Sequence, residues 1–140
     1  MPQRRIALAE AVRFHGHLGP YLVLGVLAGE VALKKLKCRK YFGLDVKVRG
    51  VDKKPKSCLI DGLQLSTGAT YGKGNISKAG GRRIKIFISG RGNSSVLNLE
   101  FKDRIIKLLE GAKTHKDSQL LARRLYKTRP SAIFNFRLAT

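Results

Sequence analysis

The 140 residues, 43% of them hydrophobic, have the length and apolar content of one folded domain with one core, which excludes a disordered tail. Their charge is unusual: 29 Lys and Arg stand against 9 Asp and Glu, a formal net charge of +20. Self-repulsion of that size opposes a compact state unless something neutralises it, so the composition points to a stable polyanionic partner.

In chain order, residues 3–14 have helical periodicity, with Ala7, Ala11 and Phe14 on one stripe. The stretch holds Glu10 and Arg13 and is too short and interrupted for a signal peptide. His15-Gly16-His17 breaks that helix, and Pro20 suits the first turn of a second one running to about Lys37. The first half of the second helix is apolar nearly all round, as a central buried helix requires. Its small residues Gly25, Ala28 and Gly29 would let another backbone approach closely. The longest apolar run, residues 21–29, is about half of a membrane span, so a soluble, non-membrane protein is expected.

Residues 44–51 alternate apolar and charged side chains, the period of a half-buried strand. After a basic loop, Ser57 is a candidate cap for a helix carrying Cys58, Ile60, Asp61 and Leu65. The Gly-rich stretch 67–81 reads as a loop or a series of turns. Residues 84–88 and 96–101 flank a basic tip and read as a β-hairpin. Helices are expected over residues 102–111 and 117–127, with Pro130 stopping the second and residues 132–138 returning as a strand. The fold class is α+β: a single domain over residues 1–140, with the apolar helix packed on a small, mostly antiparallel sheet.

The cations are unevenly spread. Residues 34–56 hold ten basic side chains against Asp45 and Asp52, and residues 73–91 hold six against none. Candidate phosphate contacts are therefore Lys34, Lys35, Lys37, Arg39, Lys40, Lys53, Lys54, Lys56, Lys73, Lys78, Arg82, Arg83 and Arg91. Candidates for base stacking are Tyr41, Phe42 and Tyr71, and there is no tryptophan. The pattern favours contact with a nucleic-acid backbone over sequence readout, and the expected partner is RNA or a ribonucleoprotein such as the ribosome.

Two further motifs carry candidate chemistry. Gly16 gives the backbone freedom for His15 and His17 to converge, and neutral imidazoles bind zinc and other divalent transition metals. The bland alternative is a pair of histidines hydrogen-bonded near a helix start. Cys58 and Asp61 lie one helical turn apart, so His15, His17 and Cys58 form a candidate mixed metal-ligand set. Cys38, among lysines and arginine, is expected to have a lowered pKa. The two cysteines lie twenty positions apart without a CxxC, which excludes a disulfide framework and suits a reducing, cytoplasmic compartment. Residues 67–75 have the composition of an anion-cradling loop, but Lys73 is followed by Gly74, so this is not a Walker A sequence.

FHGHLGPYLVLG, CLIDGLQLSTGATYGKGN and LARRLYKTRPSAIFNFR, in that order, resemble the core domain of the FmdE family of formylmethanofuran dehydrogenase. The resemblance implies that family's α+β core, often dimeric and archaeal. It also implies a metal-binding or active-site pocket lined by His15, His17, Cys58 and Asp61, with Thr67, Gly68, Thr70, Gly72, Lys73 and Asn75 around it. Two motif cysteines of the family are replaced, by Gly19 and Ala69, and its cysteine-rich zinc ribbon has no counterpart in these residues. Two readings follow. One is a basic binding module whose family site has degenerated. The alternative is a metal-dependent enzyme or oxidoreductase component acting on a one-carbon carrier or similar anionic cofactor.

Overall fold

The computed structural model describes residues 5–92 and 94–139. Helix α1 (Leu8–His15) starts later than its periodicity suggests. The preceding segment is extended and tied elsewhere: the Ile6 N–H donates to Glu30 Oε2 at 2.7 Å, and Tyr126 Oη donates to the Ile6 carbonyl at 2.6 Å. Gln3 and Arg4, the start of the expected helix, lie outside the described residues. Gly16 ends α1 at φ 108°, its N–H closing on the Val12 carbonyl at 2.7 Å.

Helix α2 (Pro20–Leu36) opens with proline in its first turn and buries twelve of its residues, as expected of a central helix. It crosses helix α3 (Cys58–Thr67) at backbone contact. A Cβ on Gly25 would lie 2.2 Å from the Leu59 carbonyl oxygen, and one on Gly62 would lie 2.2 Å from that of Leu22. Ser66 Oγ fastens the crossing, bonding to the carbonyls of Gly62 at 2.9 Å and Gly25 at 3.2 Å. Ser57 does precede α3, but its side chain makes no capping hydrogen bond.

Beneath these helices lies a five-stranded sheet of order β2-β1-β3-β4-β5. Its strands are β1 (Leu44–Arg49), β2 (Ile76–Ala79), β3 (Lys85–Gly90), β4 (Val96–Phe101) and β5 (Phe134–Ala139). β1 and β2 run parallel; the other neighbours are antiparallel. The fold is α+β, with the apolar helix on a mostly antiparallel sheet. The expected hairpin is β3–β4. β2 falls inside the stretch read as turns. It is four residues long, only Ile76 is buried, and it exists because Val46 and Ile76 pair across to β1.

Helix α4 (Asp103–Gly111) follows β4, and Thr114 caps helix α5 (His115–Tyr126) by accepting from the Asp117 N–H at 3.0 Å. Pro130 does not end α5. It opens a short helix α6 (Pro130–Ile133) that leads into β5. Leu24, Leu59, Leu63, Ile86, Ile88, Leu97 and Phe134 form one core between helices and sheet. Among the described residues no single helix is long and apolar enough to cross a membrane.

Candidate functional site

The end of α1, the turn before α2 and the first turn of α3 bring His15, His17, Cys58 and Asp61 together. His15 Nδ1 lies 2.6 Å from Asp61 Oδ2; an ionised carboxylate can only accept, so Nδ1 carries the hydrogen. The remaining ring nitrogen, Nε2, is then an acceptor, and it is buried with no hydrogen-bond partner. The His15 and His17 rings are 4.7 Å apart, and His17 stacks at 6.5 Å on His115 from the start of α5. These three histidines and Cys58 line a cavity of about 140 Å³. Sequence spacing could not have shown His115, a hundred positions from His15.

The electrostatics keep this cluster neutral. Burial, then the neighbouring His15 and His115, lower the pKa of His17. Burial and the adjacent Asp61 carboxylate push the Cys58 thiol up, partly offset by Lys54. Burial also raises the pKa of Cys38, against the lowering expected from its basic neighbours. Desolvation of the thiolate outweighs surface lysines whose charge is screened by water.

The Gly-rich loop lies at the other end of α3, about 13 Å away along the helix axis. Its polar groups are spent on itself. Asn75, buried, donates to the carbonyls of Tyr41 at 2.6 Å and Leu44 at 3.2 Å and accepts from the Thr70 N–H at 3.0 Å. Thr67 Oγ1 donates to the Leu63 carbonyl at 2.6 Å, and Lys73 Nζ donates to Thr70 Oγ1 at 3.0 Å. Gly68, at φ 77°, is pressed against Tyr41 so closely that a Cβ would sit 2.5 Å from its ring. Gly72 has open space around it. The ten residues expected around one pocket are therefore divided: four at the histidine cluster, six in a self-bonded loop.

The largest cavity, about 580 Å³, is elsewhere, between the end of α2 and the end of α5. Lys34, Lys37 and Lys40 line it together with Arg5, Lys127 and Arg129, which come from distant parts of the chain. Glu30 is its acidic lining residue, and its pKa is raised by burial despite the Ile6 N–H and Arg5. Lys35 leans over the Phe136 ring at 4.6 Å. Arg39, Lys53, Lys54, Lys56, Lys78 and Arg82 are exposed. Arg83 lies 3.8 Å from both Glu100 and Asp103, and Arg91 is held by a bidentate pair with Asp45 at 3.0 and 3.1 Å.

Residues 14–135 match the family model described as FmdE, molybdenum formylmethanofuran dehydrogenase operon. The chain belongs to the FmdE family. An FmdE-like protein of tungsten formylmethanofuran dehydrogenase type, from Syntrophus aciditrophicus, has a similar structure, with a TM-score of 0.67 at 16% identity over 94% of this chain and 69% of that one. At that identity the likeness is one of fold. A probable S-adenosyl-L-methionine-binding protein of Archaeoglobus fulgidus is 33% identical over 81 residues, which cover 54% of this chain and 21% of that protein. The chain thus spans about a fifth of that relative's length.

The metal suggested by the FmdE resemblance does not fit the donors present. Among the described residues no three His, Cys, Asp or Glu side chains are arranged to hold one ion, so the set His15, His17 and Cys58 is not assembled. The reasons are local. His15 Nδ1 is taken by Asp61. At position 19, where a Cβ would sit 3.5 Å from His17 Nε2, there is no side chain. Ala69 is fully buried at the loop end of α3, remote from Cys58.

Proposed function

We propose that this FmdE-family domain binds RNA, free or within a ribonucleoprotein, mainly through its phosphates. The observation that carries the reading is the convergence of Arg5, Lys34, Lys37, Lys40, Lys127 and Arg129 on one cavity with Glu30 as the acid. Chain segments far apart in sequence bring like charges together, and such an arrangement is relieved only by an anion seated among them. A single small anion answers that local charge but leaves most of the net +20 unneutralised. A polyanion running over the exposed lysines and arginines answers both.

The test is binding of an unstructured RNA to the full chain across a salt series. Log affinity is expected to fall linearly with log salt, and Lys34→Ala, Lys37→Ala and Lys40→Ala combined should make the slope shallower by about 2. Affinity that is absent, or flat in salt, overturns the reading.

A second reading, a cofactor-handling site at the histidine cluster, is favoured by the buried, unpartnered His15 Nε2 facing a Cys58-lined hollow. Its size weighs against it. At about 140 Å³ it is smaller than the roughly 300–1,000 Å³ of ordinary small-molecule sites. His15→Gln with Asp61→Asn separates the two readings: RNA binding should be unchanged, and a loss would place the histidine cluster within the RNA site.

A further inference from the structure

The sheet has two faces, and the helices account for one of them. Burial alternates along β1, β3 and β4, with Val46, Val48, Ile86, Ile88, Leu97 and Leu99 turned into the core. Side chains at the alternate positions point away from it. Across four strands the register sets Lys47 opposite Phe87, Phe87 opposite Asn98, and Asn98 opposite Arg137. One row on the outer face therefore reads cation, aromatic, amide, cation. In the next row Arg49 lies opposite Lys85.

We propose that this outer face is a platform for single-stranded RNA, with one base stacked on the Phe87 ring and its neighbouring phosphates held by Lys47 and Arg137. Three observations support the occupant. Phe87 is half-buried and lines a cavity of about 280 Å³ on this face, shared with Lys47, Ser77 and Ser89. The amide oxygen of Asn98, next in the row, is buried without a hydrogen-bond partner, an acceptor that a base amino group would satisfy once the side chain turns outward. Charge on the face is complementary to phosphate: Lys47, Arg49, Lys85 and Arg137 compare with Asp45, already paired to Arg91, and Glu100, 3.8 Å from Arg83. Aromatic rings on an exposed sheet suit unpaired bases, because the π-face of any base can stack while the strand backbone stays extended. A duplex, its bases already stacked on each other, cannot use them.

The inference rests on the RNA reading above, and the experiment separates the two. The chain contains no tryptophan, so Phe87→Trp installs a single reporter at the platform. Its emission should be quenched by an unlabelled oligouridylate but not by heparin, a polyanion without bases. Phe87→Leu should weaken oligouridylate binding about tenfold while leaving heparin binding within about twofold, because only stacking is lost. Thermal melting of both variants checks that they are folded, and Phe87→Tyr, which keeps the ring, should bind as the natural protein does. If oligouridylate binds with no quenching and Phe87→Leu binds equally well, the platform is overturned and the RNA reading stands. If the natural protein binds no oligouridylate, both are overturned. If the tryptophan emission instead shifts with protein concentration, a second copy of the chain covers the face and the platform is again overturned.

Discussion

Cys38 and Cys58 are both free thiols whose pKa is raised by burial, Cys58 further by Asp61 beside it. A raised folded-state pKa means that less thiolate is present at any pH below it than in the unfolded chain, and the thiolate is the reactive form. Native protein at pH 8 should therefore react with iodoacetamide more slowly than urea-unfolded protein, and the gap should narrow as pH rises toward 10. Mass spectrometry of timed samples measures both rates. Equal rates at pH 8 would mean that the thiols are more ionised than their burial permits. Asn75 makes a related point about polar groups. Read in sequence as part of an anion-cradling loop, it is committed to three backbone groups of its own fold.

Helices α2 and α3 touch through glycine, and the tolerance of that crossing is sharply positional. Gly25→Ala or Gly62→Ala would drive a methyl group into a backbone carbonyl of the opposite helix, an atom that cannot rotate away. Such overpacking costs about 1–3 kcal/mol, and the melting temperature should drop by roughly 5–10 °C. Gly111→Ala, at the last position of α4 with nothing within 4 Å of the new Cβ, should be neutral or slightly stabilising. Differential scanning calorimetry of the three variants decides it: equal effects at Gly25 and Gly111 would mean that the crossing is looser than its geometry. The same crossing positions the candidate chemistry, because α3 carries Cys58 and Asp61 at one end and leads into the Gly-rich loop at the other.

Across the whole molecule, a formal charge of +20 on 140 residues opposes compaction wherever cations are not paired. Salt screens that repulsion, with a Debye length falling from about 30 Å at 0.01 M to about 8 Å at 0.15 M. The melting temperature of the RNA-free protein should therefore rise between 10 and 300 mM potassium chloride (the opposite of a fold held mainly by surface ion pairs), and heparin at low salt should raise it more. A melting temperature that falls with salt would show that pairs such as Arg91–Asp45 outweigh the repulsion.

The sequence alone determined the α+β class, the central helix and its start at Pro20, the hairpin and the family resemblance. Each of these depends on short-range periodicity, on a proline or glycine at a fixed position, or on motif order. β2 was not legible, because four residues with one buried side chain carry no period of their own and pair only where β1 offers an edge. Nor was the division of the expected pocket, since the length of α3 separates residues that sit close together in sequence. His115, Arg5, Lys127 and Arg129 joined their sites only through the packing of α5 against α2, and Phe87, Asn98 and Arg137 through strand register. The net charge, evident from composition, called for a polyanion. Where that charge converges was decided by the tertiary structure, because convergence is a relation between distant segments and local pattern cannot encode it.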